Sequence, residues 1–362
     1  MSSSFWIKSQ AGFKVLADSS LEAPLSNQRG YFTPNDRFFV CNENPTPVVD
    51  ASRYTLVVEG DAVNNRLELS YEELRAMEQK TVLAYLECAG NQRMLFETVL
   101  GKRLNKRPHM TETLWGLGGV GMAEWRGVPL KDVLERAGVK PQAVHVCPVG
   151  LDGNSEDDGV RCPMPVAKAL QPETLLALEM NGQPLPPDHG FPVRVLVPGW
   201  VGTYSIKWVG RIIVSSRFLW VHRNTELYVL TGDDWPAESY LPAKGASISE
   251  QTIKSSLALD WPAQLTSGRQ TIFGYARSPD SEIRSVQWSA DGGASWMSAD
   301  LLLPNIRYGW VNFSLTWDAQ PGSHVLMTRA TDRAGRTQPL SIPFNHGGYL
   351  FNMVHPHPVI VT

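Results

Sequence analysis

Apolar and polar positions change rhythm several times along this chain. The run Tyr54 to Gly60 (YTLVVEG) reads as a strand bounded by turn-forming neighbours. Ser70, with Glu73 three residues on, forms a capping box that opens a short helix over SYEELRAM. A second strand, TVLAYLEC, closes on Cys88, and the Ala-Gly-Asn after it is turn material, so the thiol is expected at a strand end facing a loop-lined cavity. Pro129 and Gly138 bracket a helix, PLKDVLERAG, at its N1 and C′ positions, with strand AVHVCPV next. From Asn181 to Gly202 the chain turns loop-rich around the apolar VRVLV and carries five prolines. So much irregular backbone needs partners, either a core beneath it or a large polar ligand. Beyond Tyr240 to Ser249 the strands QTIFGYA, IRSVQWSA, WVNFSLTW and HVLMTRAT follow, with Asp291-Gly292-Gly293 and the Asp332 to Gly335 stretch as turns. That spacing predicts a β-sandwich. The expected fold is α+β and β-rich, divided into residues 1–240 and 241–362.

Composition narrows the function. A chain of 362 residues, 43% hydrophobic, can bury two ordinary cores. Its 12 Trp and 26 Pro favour short strands and extended loops on large rings over a helical bundle. The net charge of -3 arises from interspersed signs with no basic block, which argues against nucleic acid as a partner. The opening MSSSFWIKSQAGFKVL has no apolar signal core and no twin arginine, and no run of ~18 apolar residues follows. No membrane association is expected, and the location reads as cytoplasmic, or periplasmic if a leader has been removed. Cys41, Cys88, Cys147 and Cys162 lie far apart with no C-x-x-C, which disfavours zinc ribbons, dithiol redox pairs and haem attachment and suits a reducing compartment.

Gly116, Gly118 and Gly121 spell the literal dinucleotide fingerprint, but HMTETLW before them is a poor strand and the position twenty beyond Gly121 is Pro141, so a nicotinamide dehydrogenase is a weak alternative. His355-Pro356-His357-Pro358 resembles a metal clip, yet its prolines read better as a stiff terminal strand. Trp288, Trp296, Trp310 and Trp317 are expected in the sandwich core. A cysteine after a strand is by default a small buried hydrophobe, the reading taken for Cys147. Cys88 has different company: Glu87-Cys88-Ala89-Gly90-Asn91-Gln92-Arg93 sets a thiol among residues that allow close backbone approach and beside an arginine that favours a thiolate. Metal or redox chemistry therefore stands beside the buried-hydrophobe reading.

The run CAGNQR resembles the C-A-G-N-R-R motif of the sulfite oxidase family, and the likeness continues in order. YFTPNDRFFVCNENPTP (Tyr31 to Pro47) is similar to the family's T-P-N-x-x-F-F-V-R-N-H-x-P-x-P, and LWGLGGVGMAEWRGVPL to its W-x-x-G-A-I-G-x-A-x-W-x-G. Met180 to Ile212 reproduces nearly all of M-N-G-Q-P-L-P-x-D-H-G-F-P-V-R-V-V-V-P-G-x-V-G-x-x-x-x-K-W-L-G-R. IRSVQWSADGGASWMSADL looks like the family's Ig-like dimerisation domain, so the resemblance covers about residues 30 to 362.

What the resemblance implies is a molybdenum cofactor held by molybdopterin, with Cys88 as the protein's thiolate ligand to the metal. Asn42, His189, Arg194, Ser205 and Lys207 fall on positions that bind the pterin and its phosphate, a role that suits charged donors. The turns at Gly199 and Gly202 would approach the pterin. Arg93, Trp115 and Tyr228 correspond to substrate-pocket residues. It further implies oxo transfer with sulfite oxidation as the default, an external electron-transfer protein as partner, and a homodimer.

Departures qualify that picture. Cys41 stands where the family has a substrate arginine and Glu43 where it has a histidine, while Asn345-His346-Gly347-Gly348-Tyr349-Leu350 replaces N-L-R-G-V-L and its arginine. Two charged hydrogen bonds at roughly 1.5–3 kcal/mol each would weaken sulfite binding about a hundred- to ten-thousand-fold. His346 is the candidate replacement. An S-oxide or N-oxide substrate is the alternative, and a cofactor-free Ig-like binding protein is the alternative outside enzymes.

Overall fold

The computed structural model describes residues 5–16, 19–104, 114–153 and 158–362. Residues 1–4 of the opening segment and 109–113 of HMTETLW lie outside these. The described chain is strand-rich with few helices, as alternating apolar positions and frequent proline dictate. A five-stranded sheet is ordered Gln183–Pro184, Leu175–Met180, Val120–Pro129 and Lys80–Glu87, with Arg194–Leu196 pairing to Leu175–Met180 off that path. A second runs Leu67–Ser70, Thr55–Glu59, Val209–Ser215, His145–Gly150 and Met164–Pro165. A small sheet joins Lys14–Leu16, Ser20–Glu22 and Val40–Cys41.

From Lys254 onward two sheets enclose one core. Lys254–Leu257, Gly268–Arg277, Trp310–Ala319 and Asp300–Leu302 make the first. Ala263–Leu265, His357–Val361, Gly322–Asp332, Ile283–Ser289 and Met297–Ser298 make the second. Their facing side chains, Ile272, Val286, Trp288, Phe313, Leu326 and Val359 among them, form a single cluster. Among the described residues no helix is long and apolar enough to cross a membrane.

The capping box is present, with the Ser70 side chain accepting from Glu73 N–H. Pro129 is corrected by one position: it pairs with Leu175 as the last strand residue and caps the helix Leu130–Arg136, while Gly138, at φ 71°, takes the C′ place that left-handed backbone reserves for glycine. The strand before Cys88 ends at Glu87. Of the four tryptophans, Trp288 and Trp317 lie in the sandwich core. Trp310 does not, because it is an odd number of positions from Trp317 and a strand alternates faces. It packs on Tyr275 at 4.3 Å in a cluster with Phe96 and Phe351 that ties the sandwich to the rest. Trp296 is half-buried under Arg329, 4.4 Å from its ring. The His-Pro-His-Pro stretch runs into the strand His357–Val361, as the bland reading expected. The glycine fingerprint is no dinucleotide turn: Gly116 and Gly118 N–H groups donate to Glu22, and the strand Val120–Pro129 follows where a helix is required.

Candidate functional site

Cys88 sits one residue past the strand Lys80–Glu87, in a turn held by its own N–H to Gly119 O (2.9 Å) and by Asn91 N–H to its carbonyl (2.9 Å). It is half-buried against an apolar cluster that includes Phe39 and Trp115. A Cβ at Gly90 would meet the Arg93 guanidinium at 2.7 Å, and one at Gly202 would meet Glu87 O at 3.1 Å, so both glycines let their neighbours pack closely about the turn. Gly199 faces elsewhere, its absent Cβ opposed by Pro279 O. The thiol of Cys88 hydrogen-bonds that of Cys41, an exposed residue on the edge strand Val40–Cys41. That bond, with Lys207 and Arg223 nearby, overcomes burial and holds Cys41 down to about 6, while the same bond and burial push Cys88 up.

Behind the thiol, Glu87 is fully buried and anchors the turn to the sandwich. It accepts from Lys254 Nζ (2.8 Å), from Arg277 Nε and Nη2 (both 2.7 Å) and from Asn91 Nδ2 (2.9 Å). Its carbonyl accepts from Gln251 Nε2 (2.8 Å).

To one side, cations gather. Arg194 donates to His189 O and Ser205 O (2.9 Å each), yet its buried Nε has no partner among the described residues. Lys207 donates to Asn42 Oδ1 and to Asp188 O (3.0 Å), and Lys8 Nζ lies 2.8 Å from His189 Nε2. Asp188 accepts already from Ile7 N–H, Lys8 N–H and Thr46 Oγ1. Burial, then repulsion from Arg194, lowers Lys207 to about 7. Burial lowers Arg194 to about 9, and burial with Lys8, Lys207 and Arg194 around it keeps His189 neutral. Crowded, desolvated positive charge and a donor without an acceptor are what an anionic, acceptor-rich ligand satisfies, so these residues fit the phosphate and polar edge of a pterin cofactor. Ser205 Oγ is occupied with Val197 N–H (3.1 Å).

On the other side stand Arg93, Tyr228 and two residues the sequence reading missed. Arg93 lies over the Tyr349 ring at 4.8 Å and donates to Gly348 O (3.3 Å). Tyr228 stacks on Tyr349 at 5.5 Å, and burial raises its hydroxyl so that it stays protonated. Arg223 lies on the single π-turn Arg223–Leu227, a helix defect that often marks functional sites. It packs over Tyr228 at 5.3 Å, donates to Thr203 Oγ1 (2.8 Å) and forms an ion pair with Glu43. The one available signal for it was Glu43: an acid in place of a histidine calls for a cation.

Trp115 is buried to 1% exposure and lies edge-on to Phe39 at 5.8 Å, in the apolar cluster that Cys88 packs against. His346 is half-buried at Phe344, 5.7 Å between rings, with its N–H on Thr231 O. Lys207 and Arg223, rather than His346, are the cations near Cys41. A side chain at Gly347 would begin 2.6 Å from the Tyr349 ring, so an arginine has no room there.

This strand-rich fold sets two thiols, Cys41 and Cys88, near the cation Lys207 on one side and Arg93 and Tyr228 on the other, an arrangement suited to holding a metal-bearing anionic cofactor. A family model for the oxidoreductase molybdopterin binding domain matches residues 43–218. Mitochondrial sulfite oxidase of Mus musculus is 34% identical over 342 residues, 90% of this chain and 61% of that protein. Sulfite oxidase of Gallus gallus is 36% identical over 328 residues, 86% of this chain and 69% of that protein. The sulfane dehydrogenase SoxCD of Paracoccus pantotrophus shares the fold, with a TM-score of 0.82 at 23% identity, covering 98% of this chain and 90% of that one. The chain belongs to the sulfite oxidase family of molybdopterin-binding oxidoreductases. It spans 61% of the length of the mouse relative.

Proposed function

We propose that the chain transfers an oxygen atom between a small substrate and a molybdenum–molybdopterin cofactor ligated by Cys88, and exchanges electrons with an external electron-transfer protein. The observation that carries this is the half-buried Cys88 thiol near two groups of side chains, a buried cluster of Arg194, Lys207, Lys8 and neutral His189 and a packed group of Arg93, Tyr228 and Tyr349. When bound, the cofactor supplies two-electron oxygen-atom transfer. The chain's residues do the rest. Arg194, Lys207 and Lys8 hold the phosphate, with Asn42 and Ser205 positioning the first two, and His189 adds a ring nitrogen. Arg93 attracts an oxyanion, and the protonated Tyr228 hydroxyl donates to it. The two sheets from Lys254 onward read as the Ig-like dimerisation unit of the family.

Sulfite is the default substrate, and it is expected to saturate weakly. Cys41 brings no positive charge where the family has arginine, and Arg223 is already spent on Glu43. A small, strongly hydrated dianion needs fixed cations to replace its water. The same observation favours the second reading, reduction of an uncharged S-oxide or N-oxide. Metal analysis and steady-state turnover with artificial electron carriers test both. One molybdenum per chain is expected, lost in Cys88→Ser because an alkoxide is a much less available ligand than a thiolate. Cys41→Arg should lower the sulfite KM. Full molybdenum and undiminished turnover in Cys88→Ser would overturn the ligand assignment, and micromolar sulfite saturation by the unaltered protein would overturn the weak-anion reading.

A further inference from the structure

Two of the four cysteines meet at the site, and the other two are sealed away. Cys41 and Cys88 hydrogen-bond through their thiols, Cys41 is exposed and Cys88 half-buried. Cys147 and Cys162 are each 1% exposed and lie in the core around the strand His145–Gly150. Cys41 lies on a two-residue edge strand tied to Ser20 and Leu21 on one side, so the backbone that carries it has few ladder bonds to break. Cys88 lies in a turn outside any strand. A pair of touching thiols, one open to solvent, each on a short and locally adjustable segment, is the arrangement in which an intramolecular disulfide outcompetes mixed disulfides.

We infer that Cys41 and Cys88 form a disulfide in the cofactor-free chain, which closes the site to molybdopterin–molybdenum until a thiol reductant reopens it. The inference rests on Cys88 as the cofactor's thiolate ligand. The oxidant is a low-molecular-weight disulfide such as oxidised glutathione. Its S–S bond and the two protein S–H bonds break, the Cys41–Cys88 bond forms, and both protons leave on two released thiols, so two electrons pass from protein to oxidant. A sulfur engaged in a disulfide has no thiolate to offer a metal. A metal-bound Cys88 is equally closed to oxidation, and the two states exclude each other. Replacement of a substrate arginine by Cys41 thus does more than remove charge: it installs the second half of a redox gate on cofactor loading.

The test uses the full chain produced without cofactor and treated with oxidised or reduced glutathione. Free thiols are counted under denaturing conditions, and peptides are mapped by mass spectrometry without reduction. Uptake of molybdenum-loaded pterin, released from a purified molybdoenzyme, is then read as metal per chain. The oxidised protein should show two thiols instead of four, a cross-linked Cys41–Cys88 peptide, and loss of uptake that dithiothreitol restores. Cys41→Ser, at an exposed position, should keep its uptake in oxidised glutathione. Four free thiols after oxidation, a glutathione adduct on Cys41 alone, a disulfide that leaves uptake intact, or equal loss of uptake in Cys41→Ser would each overturn the inference. Reduced protein that takes up no cofactor at all would instead defeat the assignment of Cys88 as ligand, while the thiol count and peptide map still decide the disulfide.

Discussion

Glu87→Gln keeps the shape of a fully buried side chain and removes its charge, and its cost can be worked from the contacts. Burial alone would raise this carboxyl, but Arg277 and Lys254 override it and hold Glu87 at about 2 against an ordinary 4.5. That difference of about 2.5 units corresponds to about 3 kcal/mol of stability, in line with the roughly 3–5 kcal/mol typical of breaking one side of a buried pair. The amide can still accept a hydrogen bond, but it leaves two buried cations facing no anion, and Arg277 Nη1 already lacks a partner among the described residues. Because the folded value is depressed, the stabilisation is fully present above the unfolded carboxyl's range and disappears as pH falls from about 4.5 towards 2. Differential scanning calorimetry on the full chain near neutral pH should show Tm lower by about 5–10 °C in Glu87→Gln. The gap should shrink as the pH is taken below the carboxylate range. A gap under about 2 °C at neutral pH, or one that does not narrow in acid, would refute the reasoning and mean that Lys254 is already neutral or hydrated.

Two further outcomes are expected. Lys207 is lowered to about 7 by burial and by Arg194, so in the cofactor-free chain its charge opposes folding below that pH, and the cost fades as pH rises towards 10.5. Lys207→Met should therefore raise the Tm of cofactor-free protein at pH 6 and not at pH 10, while lowering cofactor content; a Tm that falls at pH 6 would contradict it. The chain should be a homodimer joined through residues 241–362, where Phe273 (53% exposed), Leu303 (90%) and Ile360 (45%) present apolar surface. Light scattering at micromolar concentration that gives one chain's mass would count against it.

How much of this was legible in the sequence depended on whether the information was local. The Ser70–Glu73 box, the strand leading to Cys88, and the stretch from Met180 to Ile212 with His189, Arg194 and Lys207 each lie within one short run of residues, and sequence patterns report such runs well. Arg223 and Lys8 could not be read that way. Lys8 meets His189 across 181 positions, and Arg223 meets Glu43 only because a π-turn aims it inward. Alignment to the family placed an arginine at Gly347, but Tyr349 fills the space, and no pattern in Asn345 to Leu350 encodes that contact. The sandwich core shows the limit of pattern reading from the other side: strand parity alone would have moved Trp310 out of it, since Val311, Phe313 and Leu315 occupy the inward face.

The two sides of Cys88 solve opposite electrostatic problems. Behind the thiol, one carboxylate is matched by two cations with three hydrogen bonds, and Asn91 donates a fourth, which fixes the turn whatever the cofactor state. On the cofactor side burial outweighs the carboxylates: Asp188 and Asp36 favour the charge on Lys8, and Asp188 and Asp152 that on Lys207, yet both lysines stay lowered, and the Asp188 oxygens already serve Ile7, Lys8 and Thr46. A fold selected for stability alone would bury apolar residues at those positions. Keeping them charged makes sense if an anion completes the cluster, because the repulsion stored in the cofactor-free chain is released on binding and adds to the affinity. Glu87 and the Arg194–Lys207 cluster therefore respond in opposite directions to loss of charge: removing the first destabilises every state of the protein, and removing the second relaxes the cofactor-free state while weakening the loaded one. That divergence separates a structural ion pair from a binding site without reference to the substrate.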